Sequence, residues 1–350
     1  MPQTTLGANA NDPPIVQPQK RLCAMDDTAA IGSQAWVPRH DLRGQAAAAA
    51  QAETGYNAAR APMDQQAEER LIAGYQFHCI QRGEGQPVLF VHGSVSDHRT
   101  WQTQIEAFGR HYRAIAYSRR YHWPNQPIAK GADYAMCGQV NDLEAMIVSL
   151  GVGPIHLVGH SYGAFIALLL ACRRPDLLRS LVLAEPPVVT LLVSNPPKAL
   201  EILRLLATRP RTAAALMNFG ARGLGPATDA FKAGDVEKGL RLFGTAVLGR
   251  EAFQKLTDQR LREMRDNLIL AEFLGSGFVP VDPGAVRRIE YPALLVTGAR
   301  SPALFHRLTD MLEELLPRAL RVEIAQASHS MHEDNAPAFN AAVLAFLAGR

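Results

Sequence analysis

A serine stands at the centre of Leu157-Val158-Gly159-His160-Ser161-Tyr162-Gly163. An apolar run over 155–158 leads into it, and an all-apolar run over 164–171 leaves it. That reads as strand, sharp turn and helix, with the Ser161 hydroxyl at the apex of a G-x-S-x-G elbow. Glycines two residues to either side let strand and helix close together around a serine in a strained backbone conformation. A serine hydroxyl is a weak nucleophile at neutral pH. It needs a base for its proton, a group that holds the base, and N–H donors for the oxyanion that forms. The base is sought in a loop after the last strand, where Ala327-Ser328-His329-Ser330-Met331-His332 stands. His329 comes first after the strand and is preferred; His332 lies one helical turn further on. The donors are expected to be the backbone N–H of Tyr162, next after the serine, and that of Ser94, in the turn after the apolar run 88–91. His160 and His92 read as structural neighbours of the site rather than as bases.

Three motifs share one order and spacing: Val91-His92-Gly93-Ser94, Gly159-His160-Ser161-Tyr162-Gly163, and the stretch from Ser328-His329 to Phe339. Together they resemble the α/β-hydrolase superfamily over about residues 69–350. The resemblance implies a doubly wound, mainly parallel, eight-stranded sheet and a triad of nucleophile, histidine and acid. In most of the family the acid is an aspartate in a G-x-x-D turn after the strand before the last. Here that turn reads Gly298-Ala299-Arg300-Ser301-Pro302, and Ser301 cannot hold an imidazolium by charge. Ser301 reads instead as a helix N-cap, with Pro302 at the first helical position. A substitute stands at the end of the strand after the elbow: Glu185, in Leu183-Ala184-Glu185-Pro186-Pro187. Branches of the family similar to this arrangement, among them fungal resorcylic-lactone hydrolases and some haloalkane dehalogenases, place a glutamate there. The dehalogenases use an aspartate nucleophile, and Ser161 argues against that chemistry. An acid at an apolar strand end needs a partner if it is buried. Glu333 and Asp334 follow His329 closely and read as the start of the last helix. A second departure is Tyr117-Ser118-Arg119-Arg120-Tyr121-His122-Trp123, where the family often has D-x-R-G-x-G. His92, Trp101, Arg119 and Trp123 are the candidates for pocket walls. A structural loop with surface arginines is the alternative for 117–123.

These residues need elements to carry them. Residues 1–66 are rich in Ala, Gln, Pro, Asn and Asp and poor in large apolar side chains, so a disordered tail is expected. Residues 71–73 and 75–81 read as a hairpin region, and 88–91 as a strand buried on both faces. Trp101, Ile105 and Phe108 share one helical face, and 113–117 is a strand. Val140, Leu143, Met146, Ile147 and Leu150 mark a second amphipathic helix. Strands at 154–158 and 181–184 complete a first core part, 67–187. The alternation stops at Pro187. Residues 188–283 carry helical patterns and no convincing strand. They are expected to form a helical lid over the carboxyl ends of the strands, where such sheets bind ligands. The core resumes over 284–350, with strands at 293–298 and 320–325 and helices at 302–316 and 337–347. Strand–helix alternation of this kind means a doubly wound, mainly parallel sheet.

Composition bounds the rest. The chain has 350 residues, 47% hydrophobic and 20% charged, enough for one large domain with an insertion. A net charge of +3 is too small to argue for nucleic acid or an anionic membrane. Cys23, Cys79, Cys137 and Cys172 have neither CxxC nor metal-ligand spacing and read as reduced thiols of a cytoplasmic protein. No apolar stretch is long enough to span a bilayer, and no basic patch followed by an apolar run marks a secretory signal. The expected activity is hydrolysis of a carboxylic ester or lactone of an apolar small molecule by Ser161, His329 and Glu185, with no metal or organic cofactor. The same residues leave open a C–C bond hydrolase, an amidase, a perhydrolase, a cofactor-free oxygenase, or a ligand receptor without turnover.

Overall fold

The structure, a computed structural model, describes residues 66–129, 131–132, 134–275 and 277–350. The expectation of a disordered tail falls on residues outside these, apart from Gln66. That residue opens the first strand, so the core begins earlier than the sequence indicated. β1 (Gln66–Ile72) and β2 (Tyr75–Arg82) form an antiparallel hairpin closed at Ala73 and Gly74, both with positive φ. β1 carries Glu68, Glu69 and Arg70, and an edge strand of that kind hides its alternation.

β3 (Pro87–Val91), β4 (Arg113–Tyr117), β5 (Ile155–His160), β6 (Leu178–Ala184), β7 (Ala293–Gly298) and β8 (Ala319–Ile324) complete one sheet. Its order is β1-β2-β4-β3-β5-β6-β7-β8. β2 runs antiparallel to both neighbours and the other pairs are parallel. β3, β5 and β7 are buried along their whole length because helices cover both faces. In β3, Val88 and Phe90 join a layer with Trp101, Ile105 and Phe108 of one helix and Phe339, Val343 and Phe346 of another. These are α1 (Gln102–Phe108, with Trp101 just before it) and, at the end of the chain, Ala336–Leu347. Leu89 and Val91 point the other way, into a layer with Leu143, Phe165 and Leu308. Those belong to α2 (Met136–Ser149), α3 (Tyr162–Arg173) and the helix Ala303–Leu315. Each large side chain so buried contributes roughly 1.5–3 kcal/mol against leaving it exposed.

Between β6 and β7 the described residues hold helices and no strand: α4 (Ala199–Thr208), α5 (Pro210–Phe219), α6 (Gly225–Lys232), α7 (Val236–Leu248), α8 (Arg250–Gln254), α9 (Asp258–Asp266), α10 (Leu270–Leu274) and α11 (Pro283–Arg287). The insertion has a small core of its own, built on Phe231, Leu240 and Met264, and it takes in Val95 from the loop after β3. Two polar ties lie beside that contact. Arg260 donates to the Val95 carbonyl at 3.4 Å, and the Asn267 amide donates to Asp97 at 2.6 Å. The insertion therefore packs over the carboxyl end of β3. After β7 come α12 (Ala303–Leu315), α13 (Met331–Asp334) and α14 (Ala336–Leu347). Among the described residues no helix is long and apolar enough to cross a membrane.

Candidate active site

Ser161 sits between β5 and α3 at φ 52° and ψ −123°, the strained backbone an elbow requires. Its N–H donates to the Ala184 carbonyl at 2.8 Å, which ties the turn to the neighbouring strand. The flanking glycines are required by space. A Cβ on Gly159 would lie 2.6 Å from the Ala164 Cα, and one on Gly163 would lie 2.4 Å from the carbonyl oxygens of Val91 and His92.

Glu185 follows β6 with φ 47° and is 1% exposed. Its Oε1 accepts the Gly298 N–H at 2.9 Å, and its Oε2 lies 2.6 Å from His329 Nδ1. The other ring nitrogen of His329, Nε2, is buried and has no hydrogen-bond partner among the described residues. Phe305 stacks on the imidazole with ring centres 4.0 Å apart. The ring of His160 donates from Nε2 to the His329 carbonyl at 2.8 Å. The imidazole is thus held through its ring edge, its face and its backbone. Asp334 accepts the Ser328 N–H at 2.7 Å, and Glu333 pairs with Arg260 at 3.3 Å, so both acids that follow His329 are engaged elsewhere. His332 packs on Trp101 and bonds Thr100 at 2.9 Å.

Burial disfavours charge on both groups, pushing the Glu185 carboxyl up and the His329 imidazole down. The Gly298 N–H and the Ser301 hydroxyl work against the first shift by favouring the carboxylate. The two groups share one short hydrogen bond, so their titration belongs to the pair. The state with a single proton is a carboxylate facing an Nδ1–H. That state leaves the Nε2 lone pair open, and the imidazole neutral.

Ser301 is not a helix cap. Its N–H closes a turn onto the Gly298 carbonyl at 3.0 Å, and Pro302 takes the cap position of α12 with no side-chain bond. The turn ends one residue too early for Ser301 to reach the helix. Its buried hydroxyl lies by Glu185, outside ordinary hydrogen-bond geometry, and still favours the charged carboxyl.

Ser161, His329, His160 and Ser94 line one small enclosed cavity of about 40 Å³, closed over by Phe243, Val247, Leu248, Leu256 and Met264 of the insertion and by Arg260. A larger open cleft of about 880 Å³ lies against α5, α7, α8 and the start of α12 and contains none of the three central residues. Ser161 and His329 meet only at the smaller one. Tyr162, expected with Ser94 to supply backbone donors, opens α3 directly after Ser161.

The four residues expected in the pocket wall are elsewhere. Trp101 is fully buried against Phe90 and His332. Trp123 lies at the surface under the Arg99 guanidinium, 3.8 Å away, with His98 stacked on it. His92 and Arg119 lie beneath the cavity rather than in its wall. His92 Nε2 accepts the Arg119 N–H at 2.8 Å, so its Nδ1 carries the proton given to the Gly93 carbonyl at 2.9 Å. Arg119 is no surface arginine: it is 1% exposed and pairs with Glu272 of α10 at 3.3 Å. Sequence reasoning missed Glu272 and Phe305, which come from distant helices and carry no local motif. Among the described residues no three His, Cys, Asp or Glu side chains are grouped to hold a metal ion.

A protein-family model described as alpha/beta hydrolase fold matches residues 86–336. Over 102 residues the chain is 34% identical to an (E)-2-((N-methylformamido)methylene)succinate hydrolase from Acinetobacter baylyi, covering 29% of this chain and 38% of that protein. Over 117 residues it is 29% identical to epoxide hydrolase 4 from Mus musculus, covering 33% of each. The matches thus span well under half the length of these relatives. The crystal structure of carboxylesterase CesB from Bacillus subtilis superposes with a TM-score of 0.61 at 16% identity, over 87% of this chain and 98% of that one, a likeness of fold.

Proposed function

We propose that this chain, which belongs to the α/β hydrolase fold family, is a serine hydrolase that cleaves a carboxylic ester or lactone of an apolar small molecule. One observation carries the reading. His329 has Nδ1 on a buried carboxylate and a free Nε2 beside the cavity that Ser161 lines. With an Nδ1–H held by the carboxylate, Nε2 is the nitrogen left to act as a general base for serine.

In this reading His329 Nε2 takes the Ser161 proton as Oγ attacks the carbonyl. Glu185 holds the Nδ1–H and stabilises the imidazolium that forms. The oxyanion meets the N–H groups of Ser94 and Tyr162. His329 then returns the proton to the leaving alcohol, and water, activated the same way, frees Ser161. The apolar side chains of the insertion over the cavity support its role as a lid and support an apolar acyl or alkyl group. A cavity of about 40 Å³ holds little more than water, so α7 and α9 must shift to admit substrate. A second reading, an amide, is favoured by the similarity to a relative named for hydrolysing an N-methylformamido compound. The triad would act on it unchanged.

The test is turnover on ester, lactone and amide panels, with Ser161→Ala as the blank. Many turnovers by wild type and none by the variant are expected, along with labelling of wild type alone by a fluorophosphonate. Labelling of both proteins, or binding without turnover as a receptor would give, overturns the reading.

A further inference from the structure

Arg119 follows β4, and its guanidinium, with no exposed surface, has every partner supplied by the protein. Nε donates to the His92 carbonyl at 3.0 Å and Nη2 to the Gly93 carbonyl at 3.0 Å. Nη1 donates to the Tyr134 hydroxyl at 2.8 Å. The balancing charge is Glu272 of α10, 3.3 Å from Nη2 and 3% exposed at its side chain. Tyr134 donates its own proton to that same Glu272 carboxylate. Burial by itself would raise the Glu272 carboxyl; the Arg119 guanidinium, the His122 ring 3.7 Å away and the Ser94 hydroxyl together outweigh it and hold the group down at about 2. The pair is buried, and built half from the core and half from the insertion.

Its position matters because of the Gly93–Ser94 peptide. A trans peptide is planar, with C=O and N–H pointing in opposite directions. Arg119 Nη2 and the His92 Nδ1–H both draw the Gly93 oxygen down. The Ser94 N–H must then point the other way. Ser94 borders the cavity with Ser161 and His329, and a Cβ on Gly93 would come within 3.0 Å of the Ser161 Cβ. The Ser94 hydroxyl also favours the Glu272 charge, so this residue feels both halves of the pair. Remove Glu272, and Arg119 becomes a buried cation without a counter-charge, free to leave the carbonyls it holds.

We propose that Arg119 and Glu272 are positioning residues through which docking of the helical insertion aims the Ser94 N–H at the oxyanion site. The proposal rests on the serine-hydrolase reading. Neither side chain touches substrate. An undocked insertion leaves the loop loose and the hole incomplete, so closure and activation are one event.

The experiment uses the full chain with p-nitrophenyl butyrate as substrate, and two probes of matched chain length. An alkyl trifluoromethyl ketone forms an oxyanion on Ser161; the corresponding methyl ketone serves as a ground-state competitor. Glu272→Gln should lower kcat about 10–100-fold with KM within threefold, a loss short of full removal of an oxyanion donor. It should weaken the trifluoromethyl ketone by a similar factor and leave the methyl ketone unchanged. Glu272→Asp, which restores the charge, should recover part of kcat. Where Glu272→Gln does not fold, Tyr134→Phe must give a smaller loss of the same pattern. A folded Glu272→Gln with normal kcat, or equal weakening of both ketones, overturns the proposal. The two readings separate on the blank. Turnover by Ser161→Ala sinks both, whereas an inactive Ser161→Ala beside a kinetically normal Glu272→Gln sinks the positioning pair alone.

Discussion

Replacing Glu185 by glutamine probes the acid with little change of shape. The amide oxygen can keep the Gly298 N–H that Oε1 accepts at 2.9 Å. On the other side, an NH2 now faces His329 Nδ1, where Oε2 stood at 2.6 Å. An amide donor there turns Nδ1 into an acceptor and moves the ring proton to Nε2, the wrong tautomer for a base. The charge is lost as well. With charge centres about 4 Å apart and an effective dielectric of about 20, the carboxylate stabilises the imidazolium by about 4 kcal/mol. At 1.36 kcal/mol per decade that is about 10³-fold in kcat. Steady-state kcat on an ester and the rate of fluorophosphonate labelling should both fall by roughly 10²–10⁴. Stability should move the other way. Burial raises Glu185 in the folded state, so its stabilising contribution is complete below the unfolded carboxyl value and is lost as pH climbs above it. Glutamine has no proton to lose there. The melting midpoint of Glu185→Gln should therefore rise relative to wild type between pH 5 and pH 8. A kcat within threefold of wild type, with Ser161→Ala inactive, would refute the reasoning and leave the acid unassigned.

Three further outcomes follow from the same geometry. Gly163→Ala puts a Cβ 2.4 Å from two backbone oxygens that cannot yield cheaply. It should cost about 1–3 kcal/mol in urea melts and most of the activity, and a variant as stable and active as wild type would contradict the packing. Ser301→Ala removes a group that favours the Glu185 carboxylate, so the pair takes its second, inactivating proton at higher pH. The acid limb of kcat/KM should move upward with the plateau unchanged; an unmoved limb would leave Ser301 without this role. The Glu272 carboxyl is held at about 2 in the folded state, so its contribution to stability is present above the unfolded carboxyl value and lost as pH falls from about 4.5 towards 2. Wild type should lose stability more steeply than Glu272→Gln across that window, as urea midpoints would reveal.

What was legible in the chain was written locally. The elbow announces itself because its constraints fall within a few residues: two glycines, an apolar strand and an apolar helix. Glu185 stood out because an acid at the end of a buried strand is costly without partners, and it has them in the Gly298 N–H and His329. Arg119 misled because an arginine in a loop is usually solvated, and its counter-charge lies 153 positions further on. Trp101 and Trp123 misled because large aromatic side chains near a site serve packing as readily as binding. The start of β1 was missed because its charged residues mask a two-residue period.

In the proposed triad, sheet order explains how the acid can be exchanged between strands without moving the histidine. β6 and β7 are parallel neighbours, with Ala184 opposite Val296 in register. The next residues of each strand therefore emerge together at one edge, Glu185 beside the turn that starts at Gly298. A carboxylate placed at either strand end can reach the same point in space. Here the turn after β7 supplies no acid. It supplies the Gly298 N–H to the acid of its neighbour, with the buried Ser301 hydroxyl lying alongside. His329, fixed by Phe305 and by the His160 bond to its carbonyl, meets an anion from either direction. In the proposed triad, the turn after β7 thus faces the acid of the neighbouring strand with a backbone N–H in place of a carboxylate.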